Sequence, residues 1–251
     1  MHGMRLTVLG TSAAYAPADR ACSGYLIEDE GSSLLVDCGS GVASNLFHHR
    51  DPLTLDGIVI SHLHFDHFLD LYPLHYYYRF NSPPGFSPVP LWAPPGAHDH
   101  MLCLFHPGGE EEFERYMTFE AVDDEASCVI GGFTLTFRRV PHATDSYAMR
   151  ITGTRTLAYS ADSEYSEELL ILADGADMLL CESTFAGRES GIGTSHFTAA
   201  EVGKMASEAG VSAVVATHFW PTTDREQAAA EIRAGFDGPV HVAEENRSID
   251  V

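Results

Sequence analysis

At 251 residues, with 45% hydrophobic and 20% charged side chains, the chain is sized for one globular domain with a substantial core. Its charge is lopsided: 14 Lys and Arg stand against 36 Asp and Glu, a formal net charge of -22, and Lys204 is the only lysine. Such a field repels polyphosphate backbones and no basic patch offsets it, so a nucleic-acid substrate is disfavoured, and no run approaches the ~20 apolar residues of a membrane span.

The N-terminus lacks a basic region followed by an apolar run, so no signal peptide is expected. Five cysteines, Cys22, Cys38, Cys103, Cys128 and Cys181, show no C-x-x-C spacing and are odd in number. Reduced thiols in a cytoplasmic protein are the simplest expectation.

In chain order, residues 4–9 are apolar and β-prone and break at Gly10-Thr11-Ser12-Ala13-Ala14, which predicts a first strand running into a small-residue loop. Residues 25–28 and 33–36 predict a hairpin turning at Glu30-Gly31-Ser32, followed by Asp37-Cys38-Gly39-Ser40-Gly41 and a short helix to about His49. Residues 58–60 read as a buried strand that runs into Ser61-His62-Leu63-His64-Phe65-Asp66-His67.

That cluster carries the chemistry. Alternate residues of an extended turn point the same way, so His62 and His64 can grip one ion while Asp66 and His67 turn toward a second. Imidazole and carboxylate ligands suit zinc, manganese or iron, and the absence of cysteine argues against a closed structural zinc site.

Beyond it, residues 68–80 predict an aromatic helix holding Tyr72, Tyr76, Tyr77 and Tyr78. A strand at Val89–Ala93 and a helix from Ala97 follow, with an acidic, aromatic run to Phe119 that forms a lid within residues 81–120 or an ordinary surface connection. His98, His100 and His106 match no metal spacing, and His48, His49, His75 and His241 read as structural or surface residues. Strands are expected on either side of Gly131-Gly132 and at residues 157–160, 178–182, 211–216 and 240–243. Helices are expected at 167–173, at 198–208 with a cap near Ser195, and at 225–234. Polar, ligand-type residues recur just past strand ends: His62, His142, Asp162 and His218.

Taken in order, these motifs resemble the metallo-β-lactamase superfamily, in its ribonuclease Z and phosphodiesterase branch. Gly10 to Ala14 resembles the family's opening loop, Leu34-Leu35-Val36-Asp37-Cys38-Gly39 its second motif, and Ser61 to His67 its metal motif. Tyr159-Ser160-Ala161-Asp162 is similar to Y-[ST]-G-D, Ser195-His196-Phe197-Thr198-Ala199 to G-H-S-T-A, and Thr217-His218-Phe219 to L-T-H-F, while residues 178–185 resemble A-D-L-L-I-H-E-[AS]-T-F. The resemblance implies an α/β fold, a four-layer αββα sandwich filling residues 1–251 as a single domain. It further implies two divalent ions, zinc first and manganese or iron as alternatives. His62, His64 and His142 would hold the first, Asp66, His67 and His218 the second, and Asp162 would bridge them. The implied reaction is hydrolysis by a metal-bridged hydroxide, with Asp66 and His196 as candidate catalytic residues and Asp37 and Glu182 orienting the ligands. A homodimer is also implied.

The chain departs from ribonuclease Z in one telling place. That enzyme carries a long basic arm between the third histidine and the bridging aspartate, and here His142 and Asp162 are 20 positions apart. With the acidic surface, this favours a small phosphodiester such as a cyclic nucleotide over precursor tRNA, with the aromatics of residues 72–80 enclosing its apolar part. Endonuclease activity on tRNA and a non-catalytic metal-binding role are the alternatives. Ala161 and Cys181 replace the family's glycine and histidine without removing a ligand. Pro141-His142-Ala143-Thr144-Asp145, in place of G-H-T-x-G, argues against β-lactam or thioester chemistry.

Overall fold

The computed structural model describes residues 3–104, 109–187 and 195–251. Its first half is a seven-stranded sheet built from β1 (Arg5–Gly10), β2 (Gly24–Asp29), β3 (Ser32–Cys38), β4 (Gly57–Val59), β5 (Val89–Ala93) and β6 (Met117–Ala121), closed at the other edge by the last strand of the chain, β14 (Arg247–Asp250). The second sheet runs from β7 (Ser127–Ile130) through β8 (Phe133–Val140), β9 (Ser146–Thr152), β10 (Thr156–Tyr159), β11 (Met178–Glu182) and β12 (Val214–Thr217) to β13 (Val240–Val242). In each sheet antiparallel hairpins give way to parallel strands, β3 to β6 in the first and β10 to β13 in the second.

Side-chain alternation along the strands assembles the layers. Leu6 and Val8, Tyr25 and Ile27, Leu34 and Val36 pack with Leu135, Phe137, Met149, Ile151, Leu157 and Leu180 of the other sheet, forming one buried layer between the sheets. The alternate residues Leu26, Leu35 and Ile58 point outward beneath α1 (Val42–Leu46), α2 (Phe65–Phe68), α3 (Leu71–Asn81), α4 (Ala97–Leu102) and α5 (Glu110–Glu114). On the far side Leu179, Cys181, Val214 and Ala216 pack under α6 (Glu167–Ala173), α7 (Ala199–Ala209) and α8 (Arg225–Gly235). Covered on both faces, β11 can be apolar at nearly every position, as its sequence MLLCE is. The result is the expected αββα sandwich.

Three local expectations change. The predicted aromatic helix is α3, which starts at Leu71 and not at 68: α2 ends at Phe68 with Leu69 as its C-cap, and Asp70, the N-cap residue of α3, turns its carboxylate to accept the Gly41 and Ala43 N–H groups that open α1. The cap of α7 is Thr198, which forms a reciprocal capping box with Glu201; Ser195 lies three residues upstream at φ 57°. Within residues 81–120, β5 is the expected strand, but the acidic, aromatic run adds β6 to the first sheet and buries Phe113 fully, so these parts belong to the core. His106 lies outside the described residues.

Candidate metal centre

The seven ligand-type residues converge at one end of the two sheets. His62, His64, His142 and Asp162 form one group and Asp66, His67, Asp162 and His218 another, with the donor atoms of each group within 4.8 Å of one another. Asp162 belongs to both. His62 and His64 lie on extended backbone past β4, whereas Asp66 and His67 occupy the first turn of α2, whose N-cap is His64 at ψ 144°. The helical turn, rather than a continued extended one, is what aims Asp66 and His67 at the second position. His142, Asp162 and His218 follow β8, β10 and β12, so the two sheets contribute to the same site.

Four of the five ligand-type histidines are fixed through one nitrogen, leaving the other for a ligand. Asp37 Oδ2 lies 2.8 Å from His67 Nδ1. Ser61 Oγ donates to Asp37 at 2.9 Å and is 3.1 Å from His62 Nδ1, which therefore donates to it. The Ser195 carbonyl accepts from His142 Nδ1 at 2.9 Å, and Thr184 Oγ1 is 3.0 Å from His218 Nδ1. With those protons assigned, His62 Nε2 and His142 Nε2 are bare lone pairs, and both lie 3.1 Å from His64 Nδ1. One proton cannot serve three lone pairs, but one cation can: nitrogens bound at ~2.0–2.1 Å to a tetrahedral ion lie ~3.4 Å apart. His67 Nε2 and His218 Nε2 are separated by 3.4 Å in the second group. Buried Asp162 Oδ1 has no hydrogen-bond donor, and His67 Nε2 is 3.4 Å away. The donor set fits a pair of divalent cations.

The electrostatics point the same way. Burial lowers the pKa values of His62, His64 and His142, keeping these imidazoles neutral as ligands must be. Burial also opposes charge on His67, yet the carboxylates of Asp162, Asp37 and Asp66 outweigh it and hold its pKa well above the ordinary range. Burial raises Asp66 and Asp162, and the histidines around them more than reverse this, so both stay ionised. Among the described residues, every ion-pair partner of Asp37, Asp66, Asp162 and Glu182 is a histidine, so the cluster attracts positive charge.

His196 stands at the edge of the cluster. Its ring is 5.5 Å from that of His218 and its Nδ1 is 3.1 Å from Glu182 Oε1. Burial works against its charge, but Glu182 and then Asp162 push its pKa up to about 9. Glu182 is itself fixed by the Ser163 N–H at 2.7 Å and by Thr184 Oγ1. Asp66 Oδ2 accepts the Ala14 N–H at 2.6 Å, which ties the opening loop to the site.

Several positioning groups carry no side-chain signal of their own: the Ala14 N–H and the Ser195 carbonyl are backbone, and Thr184 and Ser61 are ordinary polar residues until their neighbours are known. The aromatics of residues 72–80 have local partners. Tyr78 is in the core, Tyr72 donates to the Met101 carbonyl, and Tyr76 stacks on Phe80. Three other aromatics are exposed: Phe65, between His64 and Asp66; Trp220, two residues past His218; and Tyr15, next to the Ala14 whose N–H Asp66 accepts. His98 bonds Asp99 and Glu114, His49 bonds Asn246, and His75 stacks on Phe113.

A sandwich of two mixed sheets with this ligand cluster between them is that of a metallo-hydrolase of the metallo-β-lactamase fold. The chain belongs to the family described as anti-Pycsar protein Apyc1, whose model matches residues 4–236. It is 34% identical over 247 residues to the probable metallo-hydrolase YhfI of Bacillus subtilis (strain 168), covering 96% of this chain and 97% of that one. The crystal structure of YhfI superposes with a TM-score of 0.89 at 30% identity, over 98% of this chain and 99% of that one. The short form of human tRNase Z shares the fold at a TM-score of 0.78 and 23% identity, covering 98% of both chains. Unliganded yeast PDE1 does so at 0.75 and 13% identity, covering 100% of both.

Proposed function

We propose that the protein is a dinuclear metal-dependent phosphodiesterase acting on a small phosphodiester, a cyclic nucleotide or similar. One observation carries the reading: two ligand groups share Asp162, and beside them His196 holds its proton against Glu182. His62, His64 and His142 would hold one ion and Asp66, His67 and His218 the other, zinc or else manganese or iron. Such a pair supplies Lewis acidity and a hydroxide at neutral pH. The chain's own residues do the rest. Asp37, Thr184 and the Ser195 carbonyl hold the ligand rings in one tautomer. The charged form of His196 keeps one proton on Nδ1 for Glu182 and can hand the other, on Nε2, to a leaving oxygen.

The size of the substrate follows from what separates His142 and Asp162. Only β9, a tight turn in which the Gly153 N–H donates to the Arg155 carbonyl, and β10 lie between them. No segment there reaches out to a folded RNA, and a net charge of -22 disfavours a polyanion.

Hydrolysis of bis(p-nitrophenyl) phosphate, with zinc, manganese or no added metal and with a His64→Ala control, tests the reading. Metal-dependent turnover that the substitution abolishes supports it, and cyclic nucleotides are then compared with precursor tRNA. Two bound metal equivalents without turnover of any phosphodiester would overturn it in favour of a binding role.

A further inference from the structure

The hydrophobic residues at the site mouth are out of place for a folded core. Phe65 sits between His64 and Asp66 yet is 62% exposed, and Tyr15, next to the Ala14 that holds Asp66, is 55% exposed. Trp220, two residues past His218, is 39% exposed. Large aromatic rings are normally withdrawn from water, so three left open around one polar cluster are a binding feature.

Tyr15 and Phe65 also bound a cavity. A recess of about 300 Å³ is lined by Ala14, Tyr15, Cys22, Phe65, Asp66 and Leu69, and among the described residues Asp66 is the only charged one in its wall. Trp220 meets Tyr15 edge-on, with centroids 6.5 Å apart at 86°. Phe185 continues the line, 6.4 Å from Trp220 and 6.3 Å from His196. The loops bearing these rings are joined through their backbones: the Ala13 N–H donates to the Phe219 carbonyl, the Phe219 N–H to that of Thr11, and the Trp220 N–H to that of Thr184. The rings are therefore held on a frame shared with the ligands His218 and Asp66.

We propose that Tyr15 and Phe65, with Trp220 at their edge, form a stacking site for one planar, uncharged ring of the substrate, placed so that the phosphodiester attached to it lies over Asp66 and His218. This rests on the phosphodiesterase reading and adds the part of the substrate that confers selectivity. The occupant follows from the walls. Aromatic faces favour a flat ring, the single carboxylate and the acidic surface disfavour a second phosphate, and the cavity adjoins Asp66, so ring and phosphate are joined through a short linker such as a ribose.

The experiment compares adenosine 3′,5′-cyclic phosphate with glycerol cyclic phosphate, which has no ring, in the parent protein and in Tyr15→Ala, Phe65→Ala, Tyr15→Phe and Phe65→Tyr. The ratio of kcat/KM values, nucleotide over glycerol ester, should fall roughly 5- to 100-fold in each alanine variant, chiefly through KM, and return in the aromatic replacements. An equal loss for both substrates would overturn the stacking site and leave the phosphodiesterase reading intact.

A second readout needs no turnover. In a Trp92→Phe background Trp220 is the only tryptophan, and adenosine monophosphate should quench its emission saturably, with the effect lost in Tyr15→Ala. If the parent hydrolyses no phosphodiester the functional reading fails, and quenching still decides the site. Absent or unaltered quenching across the variants would overturn it.

Discussion

Asp37 and His67 meet at 2.8 Å beneath the candidate metal centre, and Tyr159 of the opposite sheet donates to the same carboxylate oxygen at 2.7 Å. Asp37 also accepts the Ser61 N–H at 2.7 Å and the Ser61 hydroxyl at 2.9 Å. A carboxylate is suited to this position because it has only acceptors to offer to four donors. Asp37→Asn turns an amide NH2 toward those donors. Stability should fall by about 1–3 kcal/mol, and affinity for the ion at His67 by about 10- to 100-fold. Urea unfolding and calorimetric metal titration measure the two effects, and unchanged metal affinity would remove Asp37 from a positioning role.

Gly39 is small for a steric reason. A Cβ there would come within 1.9 Å of the Asp66 carbonyl oxygen and 2.7 Å of Cys22 Cβ. Gly39→Ala should therefore push the Asp66 turn away from the site, destabilising the fold by about 1–3 kcal/mol. Bound metal should drop from two equivalents toward one, read by elemental analysis. Full occupancy with unchanged melting would show that the turn can yield.

His196 gives the pH profile its sign. Its charged form carries the proton to be donated, so activity should fall as pH rises through its pKa. Bound cations beside it lower that pKa from about 9, the position set by burial and the opposing pull of Glu182 and Asp162. Glu182→Gln removes the first of those carboxylates, and the basic limb of kcat/KM should move to lower pH. His196→Gln should abolish the limb and reduce the rate by about 100- to 10,000-fold. A uniform loss in Glu182→Gln with the limb unmoved would assign Glu182 to orientation alone.

Chelation should destabilise the protein, because buried Asp66 and Asp162 have only histidines as ion-pair partners among the described residues. Ions present at 100 times their dissociation constants add about 2.7 kcal/mol each to the native state. Melting with and without EDTA should differ by several degrees, and His64→Ala should lose part of that difference. Identical curves would mean that the cluster holds no ion.

The clustering of the seven ligand-type residues was legible because few residue types can perform this chemistry and four of them, His62, His142, Asp162 and His218, stand just past the ends of buried strands. Inner strands such as β11 were legible too, since MLLCE can be little else. The two edge strands of the first sheet were not. MTFEA in β6 and RSID in β14 mix charge with apolar residues, because their outer edges meet water. Ser195 looked like a cap because it precedes a helical pattern, but the capping box needs the three-residue spacing of Thr198 and Glu201. The aromatics of residues 72–80 drew attention by density, whereas Tyr15, Phe65 and Trp220 stand singly inside or beside the motifs, and only exposure distinguishes them.

His62, His64, Asp66 and His67 hang from one sheet and His142, Asp162 and His218 from the other. An ion bound among them acts as a rivet through both plates. Neither half of the chain can assemble the site alone, so high-affinity metal capture must come late in folding, after the sheets have docked. Metal uptake would then double as a quality check: only a chain whose two halves had met correctly would hold ions tightly.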